Sequence, residues 1–506
     1  MASAYRWGLS VGACAAVLVA ASAGSSRADT LLDAIALAYQ TNPTLQSQRA
    51  QLRFTDETYV QARAGYRPSI NANVQTTFNW QRVGTPSCSV FGCGDSSPES
   101  NDVSASISLT QPLFTGGRVT AQVRGAEADV LAARENLRRI EGQVMLQAVQ
   151  AYVDVRRDEQ SLAIRKENVA VLQRQVDETR ARFEVGEVTR TDVAQSEAQL
   201  AAAQSQLSTA QAQLAVSRAA YASVIGQSPA QLEPEPPFKV FPDTVDQAFD
   251  TAEQNNPSIR AADYSEQGAG AAVAEAKAGR LPTVSLQTQY GYQQPVNPLD
   301  ASLNTRSLVA GVVVSQPLFS GGLTSSRIRQ ALEQENYARV QLELARRTTT
   351  ESVSQSWNQL LASRANIAAG EEQVRAARIA FEGTRAEQQV GLRTTLEVLN
   401  AQQVLRDSEL SLVNARHNEY VAAATVLNVM GLLEAKNLVP DVDQLPGGHS
   451  FGQLKHAFGY LPPWENVVSS LDSVAGPDIR KAPPPVDAPI TTGRAAEAAA
   501  APRAGQ

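Results

Sequence analysis

Two periodicities run through this chain, and each occurs twice. From Ile70 the even positions Ile70, Ala72, Val74, Phe78 and Trp80 are apolar, while Asn71, Asn73, Gln75, Thr77 and Asn79 are polar. Val103, Ala105, Ile107 and Leu109 then alternate with Ser104, Ser106, Ser108 and Thr110. Further on, Val284, Leu286, Thr288, Tyr290 and Tyr292 alternate with Ser285, Gln287 and Gln289, and Leu308, Ala310, Val312 and Val314 precede Ser315. A period of two predicts strands with one apolar and one polar face. Runs of about ten such residues suit a strand that crosses a membrane, with lipid on one side and water on the other. A half-buried hairpin in a soluble sandwich reads the same locally. Two features favour the membrane. The polar face is hydrophilic but nearly uncharged, and Phe78, Trp80, Tyr290 and Tyr292 cluster at strand ends, where an aromatic girdle belongs.

The other period is helical. Val119, Val123, Ala126, Val130, Ala133, Leu137, Ile140 and Val144 are spaced in alternating steps of four and three, and Val155, Leu162, Val169, Leu172, Val176 and Phe183 continue the seam. This is the spacing of coiled-coil packing. A helix from Arg118 to Phe183 spans roughly 100 Å at 1.5 Å per residue. The pattern breaks at Val185-Gly186 and restarts near Thr191, running to Ile225. A second such stretch, free of proline from Leu318 to Val439, breaks at Val390-Gly391. Each is expected to be an antiparallel helical hairpin with glycine at its tip. An ordinary helix pair in a globular core is the alternative, but helices of this length outrun a single-domain core.

These elements form two copies of one unit. Gln111-Pro112-Leu113-Phe114-Thr115-Gly116-Gly117 returns as Gln316-Pro317-Leu318-Phe319-Ser320-Gly321-Gly322, an offset of 205 that also maps Tyr152 onto Trp357 and Gly226 onto Gly431. Upstream the offset is 214, taking Asn42-Pro43 to Asn256-Pro257 and Pro68 to Pro282. The first copy therefore carries nine extra residues between Pro68 and Gln111, around Cys88 and Cys93. Two repeats are too few for a solenoid.

Composition narrows the classes. Of 506 residues, 43% are hydrophobic and 19% charged, with a formal charge of -7. That acidic balance argues against nucleic acid as a partner. Three His and three Cys leave little for a metal site, and no catalytic motif stands out, so neither a cofactor nor an enzymatic activity is expected. The one long apolar stretch, Leu9–Ala23, follows Arg6 and precedes Ser26-Arg27-Ala28. It reads as a signal peptide, residues 1–28, rather than a spanning anchor, which needs ~20 apolar residues. In an exported chain Cys88 and Cys93 read as a local disulfide, with free thiols as the alternative.

Four strands cannot close a barrel, for which about eight is the minimum. An open sheet in lipid leaves unsatisfied edges, so membrane strands require several copies of the chain. Three copies give twelve strands and twelve long helical segments; two or four satisfy the same arithmetic.

The two Gln-Pro-Leu-Phe-x-Gly-Gly turns, the duplicated hairpins and the run Val390-Gly391-Leu392-Arg393-Thr394-Thr395-Leu396-Glu397-Val398-Leu399-Asn400-Ala401-Gln402 resemble the TolC family of outer-membrane efflux and secretion channels, over about residues 30–440. The resemblance implies an α+β membrane protein of two tandem repeats, each with two transmembrane β-strands and a long coiled-coil hairpin. It implies a homotrimer, with a 12-strand β-barrel in the outer membrane of a Gram-negative bacterium standing on a 12-helix α-barrel in the periplasm. A periplasmic adaptor (membrane fusion protein) and an inner-membrane transporter of ABC or RND type are its implied partners. The expected divisions are 1–28 signal peptide, 29–66 first helices, 67–112 two strands with an extracellular loop, and 113–227 the first long hairpin. There follow 228–257 a Pro-rich equatorial linker, 258–280 a helix, 281–317 two strands, 318–432 the second hairpin, 433–474 an equatorial C-terminal segment, and 475–506 a disordered tail.

The resemblance also assigns residues. Glu397 and Asn400, three apart on one helix face, stand where the family narrows its tunnel entrance. Arg393 falls on the arginine of a closed-state lock, with Thr191 and Asp192 as partners, and Gln388 replaces a tyrosine expected there. Val185, Gly186, Val390 and Gly391 mark the helix tips where a partner docks. Pro112, Gly116, Gly117, Pro317, Gly321 and Gly322 form the strand-to-helix turns. The function implied is a passive exit duct for a tripartite efflux pump or a type I secretion system. A periplasmic coiled-coil adaptor is the alternative, although adaptors usually carry one hairpin and soluble β-domains. Drug and protein cargo predict the same features.

Overall fold

The computed structural model describes residues 30–80, 87–89, 92–94, 99–238, 241–295, 304–439, 448–455, 463–474 and 476. The expected signal peptide lies outside them, as does the expected disordered tail apart from Gly476.

The first repeat runs α1 (Leu31–Thr41), α2 (Pro43–Ala64), β1 (Ser69–Trp80), short β2 (Ser87–Ser89) and β3 (Gly92–Gly94), β4 (Glu99–Phe114), α3 (Arg118–Glu184) and α4 (Arg190–Ile225). The second runs α5 (Val245–Asn255), α6 (Pro257–Ala278), β5 (Thr283–Pro295), β6 (Thr305–Ser315), α7 (Leu323–Gln389) and α8 (Thr395–Val429). The repeat is faithful to the residue. α3 and α7 are each 67 residues, and α2 and α6 each 22. Asn42 and Asn256 play one role: each breaks the helix before it and caps the next, with a side-chain oxygen accepting from the N–H two residues on and proline at the first helical position.

Two expected boundaries are corrected. The span 228–257, read as a linker, contains α5, the counterpart of α1 at the offset of 214. Its helical signal is short, eleven residues, and the Pro-rich stretch before it hid it. The C-terminal segment 433–474 does not stay at the equator. It forms α9 (Ala435–Leu438), α10 (Phe451–Lys455) and α11 (Pro463–Val474), and climbs back along α2. Phe451 packs edge-on against Tyr59, and Glu465 of α11 meets Arg63 at 2.5 Å and Arg67 at 3.3 Å.

The strands pair antiparallel in one four-stranded sheet ordered β1-β4-β5-β6. Its register keeps the alternation in phase: Val74 faces Ala105, Ile107 faces Tyr290 and Tyr290 faces Leu308. Among the described residues no second layer covers this sheet. Ile70, Val74 and Phe78 on β1 and Leu308, Val312 and Val314 on β6 are 60–77% exposed. A soluble sandwich buries such a row. Among the described residues no helix is long and apolar enough to span a membrane.

The main core lies at mid-height, where α1, α3, α4 and α8 meet. Leu31, Ile35, Met145, Tyr152, Tyr221, Ile225 and Met430 are fully enclosed there. Tyr152 donates to the Glu233 carbonyl at 2.8 Å, which ties the linker to the hairpin. Its repeat counterpart Trp357 stacks on Phe241 at 6.2 Å.

Candidate functional site

Both hairpin tips are built the same way. Gly186 donates its N–H to Phe183 O and Glu187 to Arg182 O; Gly391 donates to Gln388 O and Leu392 to Glu387 O. These are Schellman closures, which need a left-handed residue. Gly186 and Gly391 both have φ of +80°, and a Cβ at either would touch nothing, so backbone conformation and not space demands glycine there. Val185, Val390 and Leu392 are left 71–74% exposed at the ends.

The return helices start on capping boxes. Thr189 caps α4 by accepting from Asp192 N, and Asp192 accepts from Thr189 N at 2.8 Å. Thr394 caps α8 and exchanges the same pair of bonds with Glu397. Asp192 and Glu397 are thus repeat counterparts, 205 residues apart. Both boxes carry the Thr-x-x-Asp/Glu signal in the sequence, which the reading of the tips passed over.

Within one chain the expected lock residues are not joined to one another. Arg393 donates through Nε to Glu387 Oε2 and through Nη1 to Glu397 Oε1, each at 2.8 Å. Glu387 lies just across the turn and Glu397 one helical turn on, so both are reached locally. Asp192 is engaged by the Thr189 backbone and hydroxyl, and Thr191 is exposed. Gln388 is buried and bonds Thr395 Oγ1 at 3.5 Å, inside its own tip.

Glu397 carries the clearest electrostatic signature. The Thr394 backbone N–H, then Arg393, then the Thr394 hydroxyl pull its pKa from 4.5 to about 2. The hydrogen bonds that Arg393 donates to Glu387 and then to Glu397 raise its pKa above the usual range. Asn400 is exposed on the next turn of α8, on the Glu397 face.

The two hairpins are joined along α3 and α8 instead, by residues the sequence reading did not single out. Gln402 donates to Asn168 at 2.9 Å, and Arg406 approaches Glu167 at 3.7 Å. Higher up, His417 Nε2 donates to Asp154 at 2.8 Å. Burial works against ionisation of Asp154, but His417 and Arg157 outweigh it and lower its pKa. Nothing in the sequence pairs these positions, since 263 residues separate His417 from Asp154.

At the other end of the hairpins the predicted turns are in place. Gly116, Gly117, Gly321 and Gly322 all have positive φ. A Cβ on Gly116 would lie 2.8 Å from Leu281 Cβ, so that glycine also admits the second repeat. Pro112 stands at a bulge in the β4–β5 register, and Pro317 follows β6. The first turn is also gripped by Asp472 of α11, which is fully buried. Its Oδ1 accepts from Thr115 N, Thr115 Oγ1 and Gly117 N, and its Oδ2 from Thr120 N and Oγ1, all at 2.7–3.3 Å. Among the described residues the second turn has no such cover, and Leu318 and Phe319 are 92% and 91% exposed. Cys88 and Cys93 are direct register partners on β2 and β3, and their side chains lie outside the described residues.

A single-layered sheet built from two repeats, standing on two hairpins whose longer helices are 67 residues each, is the architecture of an outer-membrane channel of the efflux type. The outer membrane efflux protein family model matches residues 34–227 and 248–432, and the chain belongs to that family. It is 36% identical to the outer membrane efflux protein BepC of Brucella suis over 417 residues, 82% of this chain and 88% of that one. It is 26% identical to the outer membrane protein TolC of Escherichia coli, over 82% of this chain and 84% of TolC. The fold is that of the outer membrane protein VceC from Vibrio cholerae, with a TM-score of 0.67 over 79% of this chain and 96% of that one, at 22% identity. The protein is therefore an outer-membrane transport protein of the TolC family, from a family of channels and not of enzymes. The adaptor alternative falls with the family match.

Proposed function

We propose that three copies of this chain close into one tube, a 12-strand barrel on a 12-helix tunnel, that serves as a passive exit duct. A periplasmic adaptor and an inner-membrane transporter of ABC or RND type supply recruitment and energy. The observation that carries this reading is the open sheet. β1 and β6 are unpaired on their outer edges, and both faces of both strands are exposed. Unpaired edges are not tolerated in lipid, so β6 of one copy pairs with β1 of the next. The bare Leu318–Phe319 turn and the exposed outer face of α7 meet the same neighbour.

The tips form the entrance. Three Glu397 carboxylates make a ring that focuses cations, weaker than a double acidic ring because Asn400 is neutral. In the closed trimer Arg393 turns to Thr191 and Asp192, exchanging its local partners for the lock, while Gln388 packs less area than a tyrosine. Val185, Gly186, Val390 and Gly391 offer the adaptor its contact, and Cys88 and Cys93 close a disulfide. The cargo is either small molecules or secreted protein; BepC is named for efflux, whereas AprF of Pseudomonas aeruginosa, 24% identical, is an alkaline protease secretion protein.

The test is the mass of the detergent-solubilised protein together with its conductance in planar bilayers. A trimer with small, cation-selective conductance is expected. A stable monomer or dimer sinks the reading.

A further inference from the structure

The helix α11 carries an apolar stripe with no partner among the described residues. At 3.6 residues per turn, Glu465, Val468 and Asp472 fall on one face and are buried. Val468 packs with Tyr66 and Val119, Glu465 pairs with Arg63 and Arg67, and Asp472 holds the first strand-to-helix turn. The opposite face presents Val467, Leu471 and Val474, which are 58%, 54% and 87% exposed, with Asn466, Ser470 and Ser473 between them. That outer face has no charge, because both acids of α11 turn inward.

Position identifies what covers it. Asp472 grips Thr115, the first residue after β4 ends. The lipid-facing row of β4 is Val103, Ala105, Ile107 and Leu109, and Gln111 is next in phase. Gln111 is buried and donates to the carbonyl of Tyr66, the residue on which Val468 of α11 packs, whereas its counterpart Gln316 is exposed. α11 therefore lies on the lipid side of the sheet, at the level where the strands become helices. A neighbour in the ring approaches edge to edge, through β6 and α7, and leaves the outward face of α11 open.

We propose that α11 is an interfacial anchor, clamped to the barrel by Glu465 and Asp472, with Val467, Leu471 and Val474 dipped into the periplasmic leaflet of the outer membrane. This rests on the channel reading. An uncharged, apolar helix face parallel to a bilayer partitions into the headgroup–acyl boundary. The anchor fixes the height of the barrel in the membrane at the junction where it meets the tunnel.

The test uses the full chain with its native cysteines replaced by serine and one environment-sensitive label. The label is placed at Leu471→Cys, at Val312→Cys on the lipid row of β6, or at Ser208→Cys on α4. The protein is reconstituted in phosphatidylethanolamine–phosphatidylglycerol vesicles whose acyl chains carry a nitroxide near the headgroup. Lipid nitroxide is expected to quench the label at 471 at least about threefold more than at 208, with aqueous iodide showing the reverse order. Quenching by lipid at 312 but not at 471 overturns the anchor and leaves the channel reading intact. Lipid quenching at neither position overturns both. A label at 471 that neither quencher reaches means a second copy covers the stripe, which also overturns the anchor.

Discussion

At the scale of single residues, the tip of the second hairpin ties a carboxylate's charge to the geometry of a helix start. Glu397 caps its own helix and pairs with Arg393, so its folded pKa of about 2 lies below the ordinary 4.5. The sign follows from linkage. A depressed carboxyl stabilises the tip fully above its unfolded pKa and loses that contribution as pH falls through the folded value. A Glu397 that keeps its Thr394 and Arg393 partners therefore stays charged well below the ordinary carboxylate range. Cation selectivity, read as a reversal potential across a salt gradient, is expected to hold constant between pH 7 and about 4. Selectivity that fades near pH 4.5 would show that Glu397 is not the filter. Arg393→Ser separates two roles of one residue. If Arg393 also locks the hairpins, its loss raises single-channel conductance, which is the outcome expected. Unchanged conductance, with selectivity that now titrates near pH 4, confines Arg393 to positioning Glu397.

At the scale of elements, legibility in the sequence tracks the range of the forces. The alternation of β1 and β6, the heptad seam of α3 and the glycine tips are local patterns, and the strands, hairpins and reversals follow them. α5 is eleven residues without a long period, and it emerged only as the repeat of α1. The Asp472 clamp was beyond reach, because 357 residues separate it from Thr115 and any acid reads as a surface acid. The partners of Arg393 within one chain were not legible either: a homologous position predicts a residue but not its partners, and Glu387 and Glu397 lie nearest. The repeats do predict one contact outside the chain. Within it, β4 meets β5 with Val103 opposite Gln294, Ala105 opposite Tyr292 and Leu109 opposite Thr288. Shifting β4 forward by 205 and β5 back by 214 places Leu308 opposite the next copy's Trp80, Ala310 opposite Phe78 and Val314 opposite Val74. Apolar then meets apolar at these three pairs, with Val312 opposite Thr76, whereas a one-residue slip sets the three apolar residues against polar ones. Oxidation of the double variant Val74→Cys, Val314→Cys is expected to link copies, since directly opposed Cβ atoms lie about 5 Å apart. Efficient linking of Ile70→Cys with Val314→Cys instead would reject this register.

At the scale of the whole molecule, the same symmetry shows how one sequence makes two kinds of seam. Inside the chain α3 packs on α6, where Tyr264 fills the space over Leu131 and Ala132. In the proposed ring the counterparts between copies are α7 and the neighbour's α2, and the sizes are exchanged. Ala132 becomes Tyr337, which is 59% exposed in the single chain, and Tyr264 becomes Ala50, also exposed. One large and one small side chain occupy each seam, donated from opposite sides, so the ring closes with similar volume at both. Tyr337→Ala leaves a void between copies and is expected to weaken the trimer by about 3 kcal/mol, the usual range for a large aromatic truncated in a core. Ala50→Tyr alone overpacks the seam and costs about 1–3 kcal/mol. Combined, the two substitutions rebuild the arrangement already used by Ala132 and Tyr264. The double variant is therefore expected to dissociate later than either single one in a detergent melting series that follows trimer against monomer. Additive losses would mean that Tyr337 and Ala50 of adjacent copies do not touch. In that event the copy-to-copy seam is not the repeat of the seam inside the chain.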